Sequence, residues 1–160
     1  MLVALIWPFG SEPPPQDEAA DYYLESATYA DKKGFSKFCL NYLHCESQVV
    51  TELGLDAFKP IHYYPHIEED GCFPDGPDDW VTPQVMRSAV QKVLDWINGS
   101  QPEGKLLRDA YVKCQFGPED GGPSPEEHIE NFREELISLI QDCMKCEEQG
   151  IERVTLCAFD

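Results

Sequence analysis

Basic side chains are scarce in this sequence. Twelve lysines and arginines face 30 aspartates and glutamates, so the formal charge is −18. A field of this sign repels nucleic acid phosphates and anionic membrane surfaces and attracts cationic ones. The scarcity therefore argues against a nucleic acid or membrane partner. Two explanations stay open: the charge only keeps the protein soluble, or it attracts a basic protein partner.

Long apolar runs and secretory features are also missing. No run approaches the roughly 18 residues that a transmembrane helix needs. The apolar run at residues 2–7 has no basic segment before it and no cleavage site of small residues after it. The odd number of cysteines fits reduced thiols better than a disulfide framework, so we expect a cytoplasmic protein. The seven cysteines are Cys39, Cys45, Cys72, Cys114, Cys143, Cys146 and Cys157.

Catalytic signatures are absent from the sequence. It has no phosphate-cradling glycine loop, no nucleophile elbow and no Ser/His/Asp order. Cys143-x-x-Cys146 is the nearest approach to a redox motif, but both cysteines fall near the end of a predicted helix, after several acids, where a thiol pKa rises. We expect Cys143 to pack inward and Cys146 to border it. We assign no catalytic residue, no metal ligand and no cofactor.

The residues that are present predict a helix-dominated α+β fold in a single domain over residues 1–160. Hydrophobic residues make up 42% of the chain, enough for a folded core. Apolar residues 2–7 and the alternating residues 154–158 predict strands near both termini that pair into a small sheet. Three-to-four spacing of apolar residues, charge order and capping signals predict helices over 18–33, 35–53, 83–97, 103–114 and 125–149.

Three capping signals define helix ends. Gly54 follows the helix at 35–53, as a C-terminal cap does. Thr82 and Pro83 together form a typical helix start, with an N-cap hydroxyl and a proline in the first turn. Ser124 and Glu127 have the spacing of a capping box, in which each side chain caps the other's backbone amide.

The segment from residue 55 to residue 80 breaks the helical pattern and is the candidate binding site. Aromatic residues alternate there with acids, and aromatic anchors among charges are typical of protein interface hot spots. The acids lack the spacing of a calcium loop, so a solvated loop is the main alternative. Trp80 has a second interpretation as a core residue. The predicted partner-binding residues are Tyr63, Tyr64, Glu68, Glu69, Asp70, Asp75, Asp78, Asp79 and Trp80.

One metal or thiol arrangement is an alternative within the same segment. His62, His66 and Cys72 offer nitrogen and sulfur ligands, although their spacing is unlike that of structural zinc sites. An enzyme that uses these residues is therefore the alternative to a binding protein, and a structural adaptor is a third.

The sequence Asp78-Asp79-Trp80-Val81-Thr82-Pro83, followed by a long helix, a glycine and a short final strand, resembles small acidic bacterial proteins of uncharacterised function. In charge and size the chain is also similar to immunity proteins of bacterial toxin systems. This resemblance implies a non-enzymatic inhibitor that neutralises a basic protein partner such as a toxin, through the acidic segment and the acidic face of the last helix.

Overall fold

The structure is a computed structural model, and it describes residues 3–8, 42–61, 79–99 and 125–159. Helices dominate these residues, which confirms the helix-dominated part of the predicted fold. The predicted helices at 18–33 and 103–114 lie outside the described residues. In chain order, the described elements are β1 (Val3–Pro8), α1 (Gln48–Leu53), a 3-10 turn (Asp56–Phe58), α2 (Pro83–Gly99), α3 (Pro125–Glu148) and β2 (Val154–Phe159).

The helix predicted over residues 35–53 is wrong for its described part before α1. Residues 42–47 form turns, because the Cys45 amide donates to the Ile61 carbonyl at 2.7 Å and the Glu46 amide donates to His44 Nδ1 at 3.2 Å. Ser47 has an extended backbone, so a new helix starts after it. The predicted Gly54 cap is confirmed: Gly54 has φ 64° and ψ 44°, a left-handed conformation that glycine adopts without strain.

Helices α2 and α3 run antiparallel and carry most of the core. Arg87 near the start of α2 contacts Glu147 at the end of α3, and Asn98 at the end of α2 contacts Arg133 early in α3. The apolar stripes predicted for both helices are buried, except Ile129 and Ile140, which are partly buried, and Val85, which is exposed. The buried residues of the two helices include Met86, Val90, Val93, Ile97, Phe132, Leu136, Leu139 and Cys143.

The segment of residues 42–61 packs on the same core. The Tyr42 ring stacks on the Phe132 ring of α3, with centroids 4.3 Å apart and planes at 21°. Leu43, Val50 and Phe58 are buried in the cluster that contains the α2 and α3 stripes. The described helices therefore share one hydrophobic core.

The strands meet at one end of the helices. Strand β1 pairs antiparallel with β2, with Val3 opposite Phe159 and Pro8 opposite Val154. On its other side Val154 exchanges two backbone hydrogen bonds with Val81, which fixes the residues just before α2 to the start of β2. Among the described helices, none is long and apolar enough to cross a bilayer.

Candidate partner-binding surface

Two of the predicted partner-binding residues, Asp79 and Trp80, lie within the described part of the chain. The remaining ones, Tyr63, Tyr64, Glu68, Glu69, Asp70, Asp75 and Asp78, lie outside the described residues. The alternative metal ligands His62, His66 and Cys72 also lie outside them. The described surface therefore shows the end of the predicted acidic segment and the acids of α3.

Asp79 and Trp80 have opposite environments. Asp79 is exposed, whereas Trp80 is 8% exposed and counts among the buried hydrophobic residues. A side chain with so little accessible surface cannot serve as the anchor that a partner covers, so its burial favours the core interpretation of Trp80. Aromatic residues at the end of an acidic loop look the same in sequence whether they face a partner or the core.

The backbone around Trp80 is held firmly by the start of β2. Val81 donates its amide to the Val154 carbonyl at 3.1 Å and accepts the Val154 amide at 2.7 Å. Arg153 Nη1 lies 3.4 Å from the Trp80 carbonyl oxygen. Two residues after Trp80, Thr82 Oγ1 accepts the Val85 amide at 3.3 Å and caps α2, as the sequence predicts. Asp79 therefore directly precedes two residues whose backbones are hydrogen-bonded to Arg153 and Val154.

Helix α3 carries the densest group of acids among the described elements. Its basic residues are Arg133 and Lys145, and its acidic residues are Glu126, Glu127, Glu130, Glu134, Glu135, Asp142, Glu147 and Glu148. Some of these acids are already paired. Arg133 contacts Glu130, Lys145 Nζ lies 3.9 Å from Asp142 Oδ1, and Arg87 Nε lies 2.8 Å from Glu147 Oε1.

Not all acids of α3 face solvent. Glu135 is buried together with Ser138, and burial raises the pKa of Asp142 to about 6, although Lys145 opposes the rise. Glu135, Ser138 and Asp142 follow one another at three-to-four spacing, so they share one face of the helix. The acidic face predicted for the last helix is therefore divided between exposed acids and a buried polar stripe.

Cys143 and Cys146 are both buried, and both are free thiols. The predicted inward packing of Cys143, with Cys146 at its border, is confirmed. Burial raises the pKa of Cys143 well above its ordinary value, and the neighbouring Cys146, Asp142 and Glu147 raise it further. Burial also raises the pKa of Cys146. The reactive thiolate is therefore disfavoured at both positions.

The described residues hold no group of three or more His, Cys, Asp or Glu side chains placed to bind a metal ion. They do hold exposed apolar side chains. Ile137 and Met144 on α3 are 41% and 45% exposed and lie outside the stripe predicted to face the core, whereas Val85 on α2 belongs to its predicted stripe and is 49% exposed. Ile137 and Met144 are seven residues apart and lie off the apolar stripe that faces the core. This spacing, which places both on one exposed face of the helix, can be read from the sequence.

Comparison with known proteins gives no relative from which a function can be transferred. No protein-family model matches the chain, and no match was found among curated proteins or among solved structures.

Proposed function

We propose that this chain is a non-enzymatic acidic binding protein that neutralises a basic protein partner, in the manner of an inhibitor or immunity protein of a toxin. The observation that carries the proposal is the formal charge of −18 in a chain of 160 residues. A surface with this field attracts a lysine- or arginine-rich protein over long range and speeds its association.

The ion pairs of the described residues support this proposal. Most of their cationic side chains are engaged within the chain itself, and each ion pair neutralises one acid as well as one cation. Lys59 pairs with Asp56 at 2.6 Å, and Arg153 contacts the Trp80 carbonyl. Arg87, Arg133 and Lys145 pair with acids of α3. Because α3 carries eight acids against two lysines and arginines, its charge stays negative after these pairs are counted.

The proposed contact surface combines two parts. The first is the acidic segment with Tyr63, Tyr64 and the acids Glu68, Glu69, Asp70, Asp75, Asp78 and Asp79. The second is the exposed acids of α3. In this proposal Trp80 holds the end of the segment in place and does not contact the partner, because its side chain is buried.

The proposal extends to fold and location. We propose an α+β domain over residues 1–160 whose small sheet is formed by the strands near the two termini, and a cytoplasmic location. The pairing of β1 with β2 supports the proposed sheet. The free thiols of the described cysteines support the proposed location.

Binding kinetics test the functional proposal. A pull-down identifies the basic partner, and its association rate is then measured at two salt concentrations with the triple variant Asp75→Asn, Asp78→Asn, Asp79→Asn. We expect association to slow by about tenfold at low salt, with little change in dissociation, because exposed charges act through steering.

A matched control separates local charge from total charge. Glu46, Glu52 and Asp95 are exposed acids that lie outside both the segment of residues 55–80 and α3. Changing Glu46 and Glu52 to Gln and Asp95 to Asn removes as much charge and is expected to slow association much less. Equal association rates for the wild type and both triple variants would contradict the proposal, as would a pull-down that recovers no basic protein.

Two further measurements complete the test. Tyr64→Ala is expected to raise the dissociation rate by an amount that corresponds to about 2 kcal/mol, the usual threshold for a hot spot. Metal analysis of the purified protein distinguishes the alternative, because stoichiometric zinc would favour an enzyme that uses His62, His66 and Cys72.

A further inference from the structure

The exposed side of α3 carries an apolar strip, which we define as Ile137, Ile140 and Met144. Ile137 and Met144 stand two helical turns apart and are each more than two-fifths exposed, while Ile140 between them is partly buried against the core. Isolated exposed apolar residues are common on protein surfaces. Here, however, two long flexible or branched side chains occupy one face of one helix.

Acids surround the apolar strip along the same helix. Glu134 lies three residues before Ile137, and Glu148 lies four residues after Met144, so both are neighbours of the strip on the helix surface. Glu130 lies two turns before Ile137 and is exposed, as is Glu148. Arg133, the cation closest to the strip along this face, contacts both Glu130 and Asn98. The charge next to the strip is therefore predominantly negative.

We infer that the strip on α3 is a docking surface for an amphipathic cationic helix of a protein partner, with the partner's apolar side chains against Ile137 and Met144 and its lysines or arginines beside Glu130, Glu134 and Glu148. This inference rests on the proposed function and specifies the partner's chemistry. A 24-residue helix is about 36 Å long, enough to support a partner helix of several turns.

The charges argue against other occupants of the strip. A second copy of this chain would bring the strip's acids against like charges, which is unfavourable. An anionic membrane would repel them for the same reason. A cationic amphipathic helix satisfies the apolar and the acidic parts together, and methionine is enriched at protein interfaces of this kind.

Two synthetic peptides of identical composition test this inference on the full chain. One is a lysine-rich helix with its leucines on one face, and the other has the same residues with the leucines scattered. Binding of each labelled peptide is measured by fluorescence anisotropy at low and moderate salt. We expect the patterned peptide to bind more tightly than the scattered one.

The decisive variant is Ile137→Ala with Met144→Ala, because alanine removes the two exposed side chains of the apolar strip and favours the helix. It is expected to weaken binding of the patterned peptide roughly tenfold or more, with binding of the scattered peptide unchanged. Val85→Ala is the matched control: Val85 is 49% exposed, but its helix neighbours Ser88 and Ala89 bring no acid to it. The single variants Ile137→Ala and Met144→Ala serve as the test if the double variant melts early.

The outcomes separate this inference from the proposed function. Equal binding of both peptides, or equal affinity of the double variant and the wild type, overturns the docking surface while leaving a general attraction for basic proteins in place. Absence of any binding by either peptide at low salt overturns the proposed function as well. Sedimentation tests the remaining occupant. If the wild type self-associates and the double variant does not, the strip binds a second copy of the chain, which would also overturn the inference.

Discussion

Arg87 Nε on α2 lies 2.8 Å from Glu147 Oε1 on α3, and this pair joins the start of one helix to the end of the other. Both side chains remain partly exposed, so solvent screens their attraction. We expect a double-mutant cycle of Arg87→Ala and Glu147→Ala in urea unfolding to give a coupling free energy of about 0.5 kcal/mol, and less at high salt. A coupling of zero at low salt would show that the pair orients the helices without stabilising them.

Asp142 makes stability depend on pH. Its pKa is raised from 3.8 to about 6 by burial, so the folded protein binds more protons than the unfolded chain between these values. The free energy of unfolding therefore falls as pH rises through this range. The destabilisation caused by the buried charge of Asp142 is fully present above about pH 6. Asp142→Asn is expected to stabilise the protein at pH 7.5 by on the order of 1 to 3 kcal/mol, with little effect at pH 4.

Urea titrations at both pH values measure this difference for Asp142→Asn. Glu148→Gln removes an exposed acid of the same helix and is the control, with a small expected effect at either pH. A stability gain at pH 7.5 no larger than that of the control would contradict the raised pKa of Asp142.

The thiols of α3 are expected to be slow to react. Because burial raises the pKa of Cys143 and Cys146, a thiol reagent at pH 8 is expected to modify half-buried Cys45 before either of them. Peptide mass spectrometry after timed labelling gives the order. In denaturant without reductant all seven cysteines are expected to be modified, and a stoichiometric disulfide would instead argue against the cytoplasmic proposal.

The cap at the start of α2 is the fourth test. Thr82 Oγ1 accepts the Val85 amide, so Thr82→Ala is expected to lower the free energy of unfolding by about 1 kcal/mol. Thr82→Ser keeps the hydroxyl and is expected to retain most of the stability. If both variants unfold at the wild-type urea midpoint, the start of α2 is held by the Val81 and Val154 hydrogen bonds alone.

Local signals explain why some elements could be predicted from the sequence. Thr82-Pro83 and the glycine at position 54 act on adjacent backbone groups, so the start of α2 and the end of α1 follow from neighbouring residues. The turns at residues 42–47 could not be predicted in this way. They depend on the hydrogen bond from Cys45 to Ile61, which no local pattern contains.

Burial at the candidate site was harder to predict than secondary structure. The sequence leaves Trp80 open between an interface anchor and a core residue, and nothing in it predicts that Glu135, one acid among many, is buried. The backbone of Trp80 and Val81 is bound by Arg153 and Val154, which lie far along the chain. Ile137 and Met144 are exposed because α2 packs on a different part of α3. Each of these facts depends on how distant segments are arranged.

The pairing of β1 with β2 has a consequence for synthesis on the ribosome. Val3 lies opposite Phe159, so all the residues between them must be made before β1 can pair with β2. At bacterial or eukaryotic translation rates of about 5 to 20 residues per second, β1 waits for about 8 to 30 s. During that interval β1 has unpaired backbone groups that another nascent chain could bind, and we expect the excess of acids in the chain to oppose such contacts by charge repulsion.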